Sequence, residues 1–294
     1  MPDGSTILVT GATGLVGSTL TQQLIREGAT VRIFHRPSSS MEVLGDVADR
    51  VERAEGDVRD ARSLLRAMEG VQQVYHVAAK VSFNPRNRSI VRAVNVGGTA
   101  NVVNASLRAG VDRLVHTSSM AAFGRPLRDV PIDEATEWRD RSHRSDYAQS
   151  KVDAEREVHR GIAEGLDAVI VNPSLIFGVG RPGEGTRRIV DAVRTERIPA
   201  APRGGTNVVD VEDVATGLRR AMARGETGRR YFLGSENRSW RDIFAVLADA
   251  FGVDPPARTV PSSLVRAGAY VAEAIGFVTR TEPVLTRSTA HTAT

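Results

Sequence analysis

Cysteine is absent from all 294 residues, which excludes disulfides, thiolate metal sites and a cysteine nucleophile. Lysine is nearly absent too, with only Lys80 and Lys151, so the basic charge is carried by arginine. Arginine stays protonated at any working pH. A pI near 9.9 at a net charge of only +4 therefore calls for no nucleic-acid partner. The arginines are scattered, and aromatics to interleave with them make up only 5% of the chain. No apolar run approaches the ~20 residues of a membrane span. Met1-Pro2-Asp3-Gly4-Ser5 lacks the basic and apolar segments of a secretion signal. A soluble protein in the cytoplasm, with no membrane partner, is expected. His35, His76, His116, His143, His159 and His291 include no pair at metal-ligand spacing, so no metal is expected.

What the chain does have is a regular alternation of β-branched runs and amphipathic stretches, long enough to bury a sizeable core. Strands are predicted at Thr6–Thr10, Val31–His35, Val51–Ala54, Gln73–Val77, Arg113–Thr117 and Ala168–Val171. Helices are predicted over Leu15–Arg26, Ala61–Met68, Ile90–Arg108 and Tyr147–Glu164. This order predicts an α/β fold, a doubly wound parallel sheet, with a dinucleotide-binding domain over residues 1–172. After Asn172-Pro173 the texture becomes loop-rich. Helices are predicted near Val211–Met222, Trp240–Phe251 and Ser262–Ile275, with a strand at Arg230–Leu233. Residues 173–294 are expected to form mostly a smaller C-terminal substrate lobe over the sheet's open edge, with some elements returning to the core.

Gly11-Ala12-Thr13-Gly14-Leu15-Val16-Gly17 directly follows the first strand and opens the first helix. Glycines there allow a tight turn, close approach to a pyrophosphate and helix–strand packing, while the helix N-terminus offers free N–H groups. Gly11, Thr13, Gly14, Leu15 and Val16 are the expected phosphate cradle. An NAD site places a carboxylate about 20 residues further on. The corresponding stretch, His35-Arg36-Pro37-Ser38-Ser39-Ser40, has none before Glu42. Arg36 can pair with a 2′-phosphate, so NADP(H) is the expected cofactor. The plain alternative is one more solvated arginine.

Tyr147 and Lys151 stand at i and i+4 and share a helix face. A nearby ammonium stabilises phenolate and brings the phenol toward a useful range. With four tyrosines and two lysines, chance gives this spacing roughly 3% of the time, so a decorated surface helix is the weaker reading. Arg113–Thr117 ends in Ser118 and Ser119, at the strand end that faces the ligand crevice of such a sheet. Either serine could polarise a carbonyl; Ser119 is preferred.

Together these residues resemble the extended short-chain dehydrogenase/reductase superfamily, also called the NAD-dependent epimerase/dehydratase family. The resemblance runs from Thr10 to about Trp240. Besides the glycine loop and the Tyr-Lys pair it is carried by Gly56-Asp57-Val58, His76-Val77-Ala78-Ala79, Asn95-Val96-Gly97-Gly98-Thr99, Thr117-Ser118-Ser119, Asn172-Pro173-Ser174 and Asp210-Val211-Glu212-Asp213-Val214. The branch is similar to the dihydroflavonol-reductase-like group. The resemblance implies that Asp57 and Val58 hold the adenine, and that Val77, Ala78, Ala79 and Thr117 line the middle of the cofactor. It also implies that Pro173, Ser174, Leu175 and Ile176 lie along the nicotinamide, that Lys151 bonds its ribose, and that Gly97 and Gly98 permit close helix packing. A homodimer is the assembly it suggests. Members commonly continue further at the C-terminus, so the substrate lobe is expected to be incomplete.

Met120-Ala121-Ala122 offers no acid where nucleotide-sugar dehydratases carry an Asp-Glu pair, and Phe123 replaces a usual tyrosine. The expected function is reduction of a small-molecule carbonyl, or oxidation of the alcohol, by a Ser119-Tyr147-Lys151 site. Lys80–Phe83 and the loop from Phe177 to Arg188 are expected to shape the pocket. The alternatives are a nucleotide-sugar epimerase using the same triad and an NADP-sensing protein without turnover.

Overall fold

The computed structural model describes residues 5–124, 131–136, 145–181, 185–261, 263–265 and 267–268. In chain order the larger body begins β1 (Thr6–Thr10), α1 (Leu15–Arg26), β2 (Thr30–His35), β3 (Glu52–Glu55), α2 (Ala61–Ala67) and β4 (Val71–His76). Then follow α3 (Arg88–Arg92), a π-helical turn (Ala93–Gly97), α4 (Gly98–Ala109), β5 (Arg113–Thr117), α5 (Asp146–Ala163) and β6 (Ala168–Pro173). The remaining elements are β7 (Leu175–Phe177), α6 (Arg187–Arg194), β8 (Ala201–Pro202), β9 (Gly205–Asp210), α7 (Val211–Arg224), β10 (Arg230–Leu233), β11 (Glu236–Ser239), α8 (Trp240–Phe251) and β12 (Thr259–Val260).

Seven of these strands form one parallel sheet in the order β3-β2-β1-β4-β5-β6-β10. The order reverses between β1 and β4, and ligands bind outside the carboxyl ends of strands at such a switch point. Alternation along each strand feeds a core on either face. Ile7, Val9, Val31 and Ile33 pack with Leu20 and Leu24 of α1 and Leu218 and Met222 of α7. Leu8, Phe34, Val74 and Ile170 pack on the other face with Leu64, Val102 and Val158 of α2, α4 and α5.

Two elements expected among the later, smaller ones belong to this larger body. Helix α7 lies beside α1, and β10 pairs with β6 as the last strand of the sheet. Pairing between segments so far apart is set by the whole fold and leaves no local trace in the sequence. Outside the main sheet, β7, β9 and β11 make a second, three-stranded sheet, and α6, α8 and β8 share a small core of Val193, Ala201, Ile243, Phe244 and Ala248. The helix expected over Ser262–Ile275 lies largely outside the described residues. Among the described residues no helix is long and apolar enough to cross a membrane.

Candidate active site

The glycine loop divides its work among three positions. Gly11 takes φ +72°, and a Cβ there would stand 2.6 Å from the Ala78 nitrogen. Gly17 is pressed so closely onto the loop that a Cβ would collide with the Gly11 carbonyl. Gly14 differs, since its Cβ would touch only that carbonyl, at 3.4 Å. It therefore turns an open face toward the crevice at the start of α1. No side chain caps that helix and no acid sits in its first turn, so its leading amides and dipole favour an anion. Thr13, Leu15 and Val16 are half-buried beside it.

Arg36 is exposed at the end of β2, where Ser39 N–H closes a turn on its carbonyl at 2.9 Å. Its charge reaches Asp57, whose carboxyl is held below the usual range chiefly by hydrogen bonds from Arg59. A second guanidinium meets this turn: Arg181 Nη2 donates to the Ser40 carbonyl at 2.7 Å. Val58 is buried, and of the glycine pair in the long helix only Gly98 packs tightly, 2.7 Å from a Val58 methyl if given a Cβ. Gly97, expected to do the same, has nothing within 4 Å of that position among the described residues. It ends the π-helical turn instead and is exposed.

That turn aims Asn95 inward. Its amide accepts from Lys80 N–H at 2.7 Å, donates to the Lys80 carbonyl at 3.0 Å and donates to Ser150 Oγ at 2.9 Å. Ser150 in turn donates to the Tyr147 carbonyl, so Asn95 braces α5 at the turn carrying Tyr147. A second chain runs beneath the crevice. Val77 and Ala78 N–H donate to Thr10 Oγ1, which bonds His76 Nδ1 at 2.8 Å. His76 Nε2 bonds Thr99 Oγ1 at 3.0 Å, and Thr99 donates to the Asn95 carbonyl. Since Thr99 spends its hydrogen on that carbonyl, the network assigns the proton of His76 to Nε2. Burial pushes the His76 pKa down to about 3, so it remains neutral. Ala79 lies exposed just beyond.

Helix α5 is begun by Ser145, whose hydroxyl accepts from Ala148 N–H at 3.0 Å. Its buried residues Tyr147, Ser150, Lys151, Ala154, Glu155 and Val158 repeat at three and four, one face of an α-helix. Lys151 Nζ donates to the Thr117 carbonyl at 2.8 Å. Burial lowers its pKa to about 8, against the opposing charge of Glu155. Tyr147 meets Phe83 edge-on, with ring centroids 5.5 Å apart. The Ser119 side chain favours the ionised form of the Tyr147 phenol, and its oxygen accepts from Ala121 N–H at 3.2 Å. The electrostatics differ from the sequence expectation at one point. Burial raises the Tyr147 pKa, and the counteracting influence comes from Ser119.

Ser118 faces elsewhere and donates to Glu155 Oε1 at 2.5 Å. Glu155 also accepts from Asn172 Nδ2 at 2.7 Å. Neither Glu155 nor the His76 chain was singled out from the sequence, although Glu155 continues the i, i+4 face of Tyr147 and Lys151. Pro173 ends β6, Ser174 N–H bonds the Leu233 carbonyl, and Leu175 and Ile176 start β7. The side-chain oxygens of Thr117 and Ser174 are buried and have no partner among the described residues. Buried hydroxyls are ordinarily bonded. Two such orphans at the ends of β5 and β6, with the open face of Gly14, fit a polar ligand laid across the switch point.

A profile described as the NAD dependent epimerase/dehydratase family matches residues 7–234. A putative dihydroflavonol 4-reductase of Synechocystis is 36% identical over 91% of this chain and 78% of its own. Sterol demethylase protein B of Methylococcus capsulatus is 36% identical over 89% of this chain and 79% of its own. The crystal structure of gox2253 superposes with a TM-score of 0.83 at 36% identity, covering 98% of this chain and 87% of that one. The chain belongs to the NAD-dependent epimerase/dehydratase family and is an enzyme of nicotinamide-dependent oxidoreductase type.

Proposed function

We propose that the protein reduces a small-molecule carbonyl, or oxidises the corresponding alcohol, with NADP(H). The observation carrying this reading is that Ser119 favours the ionised form of the Tyr147 phenol, with Lys151 one helical turn along the same buried face. Gly11, Thr13, Gly14, Leu15 and Val16 would hold the pyrophosphate. Asp57 and Val58 would hold the adenine, and Val77, Ala78, Ala79 and Thr117 the middle of the cofactor. Pro173, Ser174, Leu175 and Ile176 would lie along the nicotinamide. The cofactor, when bound, supplies or accepts hydride at that ring. Tyr147 gives the carbonyl oxygen its proton, and Ser119 hydrogen-bonds the same oxygen. Lys151, held at the end of β5 by the Thr117 carbonyl, would offer its ammonium as a donor for ribose. Ser118 is committed to Glu155, which supports Ser119 as the polarising serine. Phe83 gives the substrate side of Tyr147 an aromatic wall.

Epimerisation would use the same residues but return the hydride to its own substrate. Net cofactor consumption separates the two, and the absence of any turnover would leave a binding protein. Residues 173–294 would supply most of the substrate lobe, with α7 and β10 given to the cofactor-binding body.

Cofactor choice is tested at Arg36, supported by Arg181 at the same turn. NADPH should bind more tightly than NADH. Arg36→Ala should weaken NADPH by about 1.5–3 kcal/mol, roughly ten- to a hundredfold, and spare NADH. Titrations of both variants with both cofactors measure this. Equal affinities in the parent would remove the case for NADP.

A further inference from the structure

Glu155 lies one turn beyond Lys151 on the buried face of α5, and the chemistry above makes no use of it. It is only 6% exposed, and carboxylates are seldom buried without dedicated partners. Three strand ends supply them. Oε1 accepts from Ser118 Oγ at 2.5 Å and from Asn172 Nδ2 at 2.7 Å, and Oε2 stands 3.7 Å from Arg230 Nη1. The Asn172 amide also donates to the Ser119 carbonyl at 3.0 Å. Its orientation follows from its neighbours, because a flipped amide would turn its oxygen toward two acceptors. One carboxylate thus holds Ser118 by its hydroxyl and, through Asn172, Ser119 by its main chain. Ser119 is the serine that acts on the Tyr147 phenol.

Charge is the second part. The buried ammonium of Lys151 is surrounded by His76 on β4 and His116 on β5, both kept neutral by burial and by the ammonium itself. Tyr147 and Glu155 share its helix, and Arg230 on β10 faces Glu155 from beyond. Burial works against the charge on Lys151, and Glu155 works for it.

We propose that Glu155 is a positioning residue of this site, fixing Ser119 through Asn172 and setting its carboxylate one helical turn from the Lys151 ammonium on the same buried face. The kinetic half of the proposal rests on the carbonyl-reduction reading, whereas the charge half does not. Having two lysines makes the charge half directly visible. Full-length protein grown with ¹³C-lysine shows two ε-carbon signals, and Lys80→Arg identifies the one from Lys151. Its titration midpoint should lie near 8 and fall by about one pH unit in Glu155→Gln. The alkaline limb of the turnover profile should move down with it, because the ammonium is then lost at lower pH. At neutral pH kcat should fall roughly tenfold with little change in the carbonyl KM. Ser118→Ala removes a hydrogen bond but no charge, and should leave the midpoint in place. Should Glu155→Gln fail to fold, Arg230→Gln tests the same field with opposite sign and should raise the midpoint. An unmoved midpoint in Glu155→Gln, or in Arg230→Gln where the first variant cannot be made, overturns the charge assignment. Loss of kcat matched only by lower thermal stability, with the pH limb unmoved, overturns the positioning role. A parent that shows the shift yet reduces no carbonyl would defeat the functional reading and leave the charge assignment supported.

Discussion

Tyr147→Phe is expected to lower carbonyl turnover by about 10²–10⁴-fold, the range general acid catalysis supplies, with fold and cofactor affinity close to the parent's. The substitution keeps the ring that packs edge-on against Phe83 and removes only the hydroxyl that meets Ser119. Because burial raises the pKa of that phenol, the proton is firmly held until a developing alkoxide draws it away. A thermal melt and an NADPH titration run beside steady-state kinetics distinguish a lost proton donor from a damaged fold. A Tyr147→Phe protein that turns over at the parent's rate would show that another group donates the proton.

The second large effect separates two glycines three residues apart. A valine at Gly14 would meet the Gly11 carbonyl at an ordinary distance and project its methyls over the leading amides of α1. The fold should hold, while NADPH affinity should fall by at least about a hundredfold, or ~2.7 kcal/mol. Gly17→Ala should do the reverse in origin. Its Cβ would overlap the backbone of the loop itself, which cannot rotate aside as a flexible side chain can. Overpacking of this kind costs about 1–3 kcal/mol, so the melting temperature should drop before any ligand is added. Calorimetry with and without NADPH compares them. Normal NADPH affinity in Gly14→Val would mean that the phosphates bind elsewhere.

Much of this arrangement was legible because its causes are local. A β-branched run, a glycine turn and an amphipathic helix follow one another within residues 6–26, and the structure builds them as β1, the loop and α1. The spacing of Tyr147 and Lys151 needs only helical periodicity to bring them onto one face. Less could be read where a role depends on a distant partner. Ser118 and Ser119 are alike in sequence, and their different directions follow from Glu155 and Asn172, brought there by α5 and β6. Gly97 and Gly98 are equivalent as letters, yet a π-helical turn puts only Gly98 against Val58. The depressed pKa of His76 depends on burial and on the ammonium of Lys151, and its two hydrogen bonds go to Thr10 and Thr99, all three partners lying elsewhere in the sequence. The return of β10 to the main sheet is likewise a matter of long-range pairing.

The central claim is a net hydride transfer at the Ser119-Tyr147-Lys151 site, and isotope transfer tests it most directly. NADPH dideuterated at nicotinamide C4 would be incubated with the protein and a panel of ketones and aldehydes. The account predicts an alcohol bearing one deuterium at the new carbinol carbon, one NADPH oxidised for each alcohol formed, and loss of both signals in Tyr147→Phe. Product isomerised without deuterium and without net NADPH oxidation, or NADPH bound with no product from any carbonyl, would contradict it.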